Sequence, residues 1–192
     1  MESEKKMVNS EKIKFKLCVL GDPSVGKTSL IHHFCEGFFK ESYLSTIGVT
    51  FLTKNMDMNY DGRNLDVVLQ IWDVGGQSIF SRIRQNYLKG SQGAFILFDV
   101  TNKNTLMHVD SWIEELLRAL GVQNLEKIPI LVIGNKIDLD FDESLKNRAK
   151  KYLENQFQSR VPITYTSAKT GLGMKESFKK ITRMMLEKVE EA

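Results

Sequence analysis

Gly21-Asp22-Pro23-Ser24-Val25-Gly26-Lys27-Thr28 stands between a short apolar run, residues 14–20, and a segment with helical spacing. It is G-x-x-x-x-G-K-[ST] in the strand–loop–helix setting that this pattern requires. The residue types follow from the chemistry. Glycines at 21 and 26 let the backbone curl round a phosphate chain where Cβ atoms would collide. Successive N–H groups then point inward, and the following helix adds its positive end. Lys27 is placed to reach the β- and γ-phosphates, the Thr28 hydroxyl to ligate Mg²⁺, and Ser29 continues the loop into the helix. The stretch implies binding of a nucleotide polyphosphate.

Around it, the 192-residue chain suits one domain with a single sizeable core. A formal net charge of +3 is too small to argue for a nucleic-acid partner. Cys18 and Cys35 form no CxxC pair, and Cys18 falls inside the first apolar run, which suits a reducing compartment. No apolar stretch approaches the ~20 residues that a membrane span needs, and no signal-peptide pattern opens the chain, so a cytoplasmic protein is expected. His32, His33 and His108 lack metal-ligand spacing.

Residues 1–12 are charged and aperiodic, predicting a mobile arm ahead of a domain over 13–190. The first strand, 14–20, leads through the loop into a helix over 27–36 that Gly37 stops. Residues 38–50 read as a loop. Strands at 50–60 and 65–72 flank Asp61-Gly62, a strong hairpin signal. A weak helix over 78–88, a buried strand 94–98 and a helix from Thr105 to Leu120 follow. A buried strand 128–133, a polar helix 142–158, a short strand 161–165 and a last helix 173–190 complete the order. The class is α/β: six strands in a mostly parallel sheet with helices on both faces, the hairpin adding one antiparallel edge strand. In such sheets ligands bind at the carboxyl ends of the strands, where each motif falls.

Asn135-Lys136-Ile137-Asp138 follows the fifth strand. A carboxylate at Asp138 accepts two hydrogen bonds from the ring N–H and the exocyclic amine of guanine. Adenine lacks that donor pair, and a site of this kind rejects the wrong base by about 10⁴–10⁵. Lys136 can lay its stem over the base, and Asn135 can tie this loop to the phosphate loop. After the last strand, Ser167-Ala168-Lys169 offers the Ala168 N–H to the guanine oxygen. This combination leaves a P-loop kinase or ATPase without support.

GDPSVGKT, Thr46, DVGGQ, NKID and SAK together resemble the Ras superfamily of small GTPases over about residues 13–190. The chain is most similar to the Rab branch, through Thr46-Ile47-Gly48-Val49-Thr50-Phe51 and Leu69-Gln70-Ile71-Trp72-Asp73. The resemblance implies the P-loop NTPase fold, a bound GTP or GDP with Mg²⁺, and a monomeric switch in vesicle and membrane traffic. It implies that Thr46 closes over Mg²⁺ in the GTP state. By the same likeness Phe39 packs on the guanine and Tyr43 covers the phosphates. Asp73 holds Mg²⁺ through water, the Gly76 N–H meets the γ-phosphate, and Gln77 orients the attacking water. Phe51, Trp72 and Tyr87 match an effector-binding aromatic triad, although two of them on neighbouring strands would also suit a core. Catalysis would rest on Gln77, Lys27 and Thr46, with an exchange factor, effectors and a GTPase-activating protein as partners.

Three departures qualify this expectation. Pro23 replaces a small residue and lacks an N–H, which favours, as a second reading, a nucleotide-locked binding module that does not hydrolyse. Val74-Gly75 replaces a common Thr-Ala, and the glycine should loosen switch II by about 0.5–1 kcal/mol. The sequence ends Glu190-Glu191-Ala192 with Cys35 its last cysteine, so membrane attachment would need a lipidated tail beyond it.

Overall fold

The computed structural model describes residues 12–40, 46, 48–76, 81–158 and 161–191, apart from the side chains of 81–83. Six strands form one sheet, built on β1 (Lys12–Gly21). Along β1, Phe15, Leu17 and Val19 enter one core, while Cys18 and Leu20 enter the other. That alternation places a strand between two apolar layers. β4 (Gly93–Asp99) and β5 (Ile130–Asn135) divide their side chains the same way, so both read as unbroken apolar runs.

β2 (Val49–Tyr60) pairs antiparallel with β3 (Arg63–Val74), and β6 is Ile163–Thr166. The strand order is β2-β3-β1-β4-β5-β6, with every pairing but β2–β3 parallel. The Asp61-Gly62 turn has φ 49° and 73°, the double positive φ of a type I′ hairpin. α1 (Lys27–Glu36) and α6 (Met174–Glu190) cover one face. α2 (Ser81–Leu88), α3 (Lys103–Met107), α4 (Val109–Leu120) and α5 (Ser144–Phe157) cover the other. The expected α/β architecture holds, including the antiparallel edge.

The differences have local causes. Lys12 already pairs with Asp66, so β1 begins inside the segment read as an arm; residues 1–11 lie outside the described residues. β5 runs on to Asn135 because β4 and β6 both pair with its last residues. The single helix expected from Thr105 to Leu120 is two. Asn102 caps α3 by accepting from the Asn104 N–H, and the chain breaks at His108 (φ −97°, ψ −1°) before α4. The C-terminal ends of β1, β3, β4, β5 and β6 share one edge of the sheet, and the loops there meet.

Phe178 of α6 is fully buried, stacked on Phe34 with centroids 3.6 Å apart and edge-on to Phe95 at 4.9 Å. Phe178→Ala should lower the unfolding free energy by about 3–5 kcal/mol in urea titration. A loss below about 1 kcal/mol would contradict this packing.

Candidate functional site: a phosphate and base cleft at the strand ends

The phosphate loop leaves β1 at Gly21 and enters α1 through Gly26, which adopts φ 95°. A Cβ on Gly26 would lie 2.3 Å from Nδ2 of Asn135, so glycine is required by approach as well as by conformation. Asn135 is fully buried at the end of β5. Its Nδ2 donates to the Val25 carbonyl at 2.9 Å. Its Oδ1 accepts from Thr166 Oγ1 at 3.0 Å and from the Ala168 N–H at 3.1 Å.

Lys27 is nearly buried, and its ammonium donates to the carbonyls of Gly21 (2.7 Å) and Asp22 (2.8 Å). Burial pulls its pKa down to about 8, against the opposing pull of the Asp73 and Asp22 carboxylates. Asp22, expected in the nucleotide set, turns its side chain away from the cleft. One carboxylate oxygen accepts from Trp112 Nε1 at 2.8 Å and the other from His108 Nδ1 at 2.6 Å. An anion facing a polyphosphate would repel it; here α4 and its leading residue hold it aside.

Thr28, Thr46 and Asp73 converge. The two threonine hydroxyl oxygens are 2.7 Å apart; the Thr28 hydroxyl donates to Asp73 Oδ2, and Thr46 Oγ1 is 3.4 Å from the same atom. Asp73 is fully buried, and its Oδ1 has no hydrogen-bond partner among the described residues. Burial raises its pKa, with the Thr28 hydrogen bond and the Lys27 charge pulling the other way. An unpartnered buried carboxylate oxygen beside two hydroxyls fits Mg²⁺, which takes oxygen ligands and one or two carboxylates while keeping waters.

The second loop presses on both neighbours. A Cβ on Gly76 would meet Gly21 O at 2.5 Å and Pro23 N at 2.9 Å, so Gly76 lies against the phosphate loop. Gly75 donates its N–H to Gly48 O at 3.0 Å, continuing the β2–β3 ladder one pair past Val49–Val74. A Cβ at 75 would lie 2.9 Å from Thr46 O and 3.0 Å from Gly48 O. The sequence reading treats Gly75 as a source of looseness; in the structure it is the space that lets the two loops touch. Tyr43 and Gln77 lie outside the described residues.

On the base side, Asp138 Oδ1 accepts from Ser167 Oγ at 2.5 Å. Lys136 adopts φ 73° and pairs with Asp99 Oδ2 at 2.7 Å. Since the Ala168 N–H already meets Asn135, a bond from it to a guanine oxygen would be shared. The Ala168 carbonyl accepts from His33 Nδ1 at 2.6 Å. A cleft of about 500 Å³ results, within the usual range for a small-molecule site. Pro23, Ser24, Gly26, Lys27, Thr28 and Ser29 line it, with Phe39, Thr46 and Gly76 on one side and Asn135, Lys136, Asp138, Ala168 and Lys169 on the other. Gly21, Asp22, Val25, Asp73 and Ser167 stand behind this lining.

Asp99, His33 and Arg84 were not legible as site residues. Asp99 had one usable signal, a carboxylate closing a buried strand beside the other strand-end motifs. His33 and Arg84 had none: Ala168, which meets His33, lies 135 positions away, and Glu115, which meets Arg84, lies 31 away on another helix. Away from the cleft, Phe51 (48% exposed) and Tyr87 (37%) flank the half-buried Trp72, with ring centroids 5.1 and 6.0 Å from it. The three form a surface patch rather than core. No helix among the described residues is long and apolar enough to cross a membrane.

A strand, a glycine-framed loop carrying a buried lysine and a following helix, opening on a cleft at the carboxyl ends of a mostly parallel sheet, give the fold of a P-loop nucleotide-binding protein. The Ras family model matches residues 16–187, and the chain belongs to the Ras family. It is 33% identical to the Ras-related protein Rab7 of Drosophila melanogaster over 97% of this chain and 87% of that protein. It is 33% identical to the Ypt/Rab-type GTPase YPT7 of Saccharomyces cerevisiae over 94% of this chain and 86% of that one. The Ypt/Rab-type GTPase ypt7 of Schizosaccharomyces pombe is 29% identical over 96% and 88%. The chain is thus a Rab-like small GTPase.

Asp138→Asn should reverse the donor pattern facing the base. GTP affinity should fall by about 10²-fold or more, with xanthine nucleotides gaining, in equilibrium titrations. Unchanged GTP affinity would remove Asp138 from the base site.

Proposed function

We propose that this protein is a GTP-timed switch in intracellular membrane and vesicle traffic, slow on its own and accelerated by an activating protein. The observation that carries the reading is the meeting of Thr46 with Thr28 and Asp73 while Gly75 and Gly76 bridge Gly48 and the phosphate loop. Two loops that meet beside the phosphate loop are placed to sense a nucleotide's last phosphate. The aromatic patch of Phe51, Trp72 and Tyr87 begins directly beyond them on β2 and β3, which suits effectors that read the loops' state.

In the mechanism, Lys27 and the loop amides neutralise and orient the phosphates, and Asp138 with Lys136 fixes the base. The Gly76 N–H meets the γ-phosphate, and Gln77 orients the attacking water in line with it. Thr28, Thr46 and Asp73 would hold magnesium, which would offset charge on the phosphate oxygens. Among the described residues no arginine lines the cleft, which suits a charge supplied in trans by an activating protein. Loss of the γ-phosphate removes the contacts of Thr46 and Gly76, and both loops relax. The likeness to Rab-type relatives over nearly their whole length supports the traffic role.

The hydrolysis-deficient reading that Pro23 raises is not favoured, since Thr46 stands with the metal-suited cluster and the relatives are named GTPases. Single-turnover hydrolysis on GTP-loaded protein tests it. The native chain should convert bound GTP in one exponential phase, and Gln77→Leu should slow that phase by about tenfold or more. Equal rates would transfer the case to a binding module without turnover.

A further inference from the structure

Arg84 of α2 is 4% exposed. A guanidinium enclosed to that degree is costly unless its donors are met, and removing one partner leaves an uncompensated charge. Among the described residues its donors are met by Glu115 and by Gly75. Nε and Nη2 donate to the two carboxylate oxygens of Glu115 on α4, at 2.6 and 3.0 Å. Nη1 donates to the Gly75 carbonyl at 2.8 Å. The guanidinium lies over the Trp112 ring, 4.6 Å from its centroid, and the Trp112 N–H in turn holds Asp22 of the phosphate loop.

Arg84 is not among the residues lining the cleft, yet it grips the peptide that connects both sensing loops. The N–H of that residue is on Gly48 O, two positions from Thr46, and the next residue, Gly76, lies against Gly21 and Pro23. A bidentate pair is directional: the planar fork admits little rotation once both carboxylate oxygens are engaged. With the fork so held, an N–H of Nη1 is directed at the Gly75 carbonyl.

We propose that Arg84 is a positioning residue for γ-phosphate recognition: clamped by Glu115 and Trp112, it holds the Gly75–Gly76 peptide against the phosphate loop and so sets the preference for GTP over GDP. The inference rests on the reading of Gly76 as the γ-phosphate donor. GDP makes no contact there, so the clamp acts on one nucleotide and not the other. A residue that merely pinned α2 to α4 would affect both alike, because a site shifts an equilibrium only through differential contacts.

The test compares release of fluorescent GDP and of a fluorescent, slowly hydrolysed GTP analogue from the full chain in Mg²⁺. Arg84→Ala should raise the ratio of GTP-analogue release to GDP release by about tenfold, the weight of one charge-assisted hydrogen bond. Arg84→Lys, which keeps the charge and loses the fork, should fall between. Glu115→Gln, which keeps shape and weakens the clamp, should move the ratio the same way; these two variants decide the matter if Arg84→Ala cannot be loaded with GDP. Release rates that rise together, or an unmoved ratio, overturn the proposal. Gly76→Ala separates its failure from that of the underlying reading. If Gly76→Ala leaves the ratio at the native value, the reading of Gly76 fails and the proposal with it. If Gly76→Ala shifts the ratio and the Arg84 and Glu115 variants do not, only the proposal fails.

Discussion

The buried amide of Asn135 is the fastening on which the cleft depends. One side chain, sealed from water, donates to the phosphate loop at Val25 and accepts from Thr166 at the end of β6 and from Ala168 just past it. Three loops from three strands are thereby registered against each other. A buried side-chain amide left half-satisfied would be strongly unfavourable, so the loops meet in this arrangement or leave Asn135 unpaired. The glycine at 26 belongs to the same constraint, because any side chain there would occupy the space of Asn135 Nδ2.

Around that fastening the protein keeps two groups of opposite sign in an environment that penalises both. Burial lowers the pKa of Lys27 and raises that of Asp73. A polyphosphate beside the lysine and a divalent cation beside the aspartate would relieve these penalties. Binding relieves both penalties in the folded chain alone, so nucleotide with magnesium should contribute heavily to the stability of the loaded protein. The same arithmetic explains why Asp22 is turned outward. A further anion inside the loop would oppose the phosphates that Lys27 is placed to meet.

Much of this was legible in the chain. The alternation of buried strands with amphipathic helices, the Asp61-Gly62 turn and the order of the strand-end motifs carry local signals of period, turn chemistry and spacing. What escaped reading was set by tertiary contact. The break at His108 has no glycine or proline to announce it, and it coincides with a bond to Asp22, eighty-six positions earlier. Arg84 carries no local signal of its role, since its partners lie on another helix and in a loop. Gly75 was read through propensity alone, and propensity does not register that Thr46 and Gly48 pass within contact distance of it.

The pairing of Gly48 with Gly75 has a mechanical consequence. It is the terminal rung of the ladder that also holds Phe51 opposite Trp72, three residues further in, roughly 10 Å along a strand. Among the described residues this is the outermost backbone bond between the two loops, so its opening would let fraying advance from one shared end toward the aromatic surface. The distance between the chemistry and the surface that would report it is the length of a few peptide units, with no helix or domain needing to move between them.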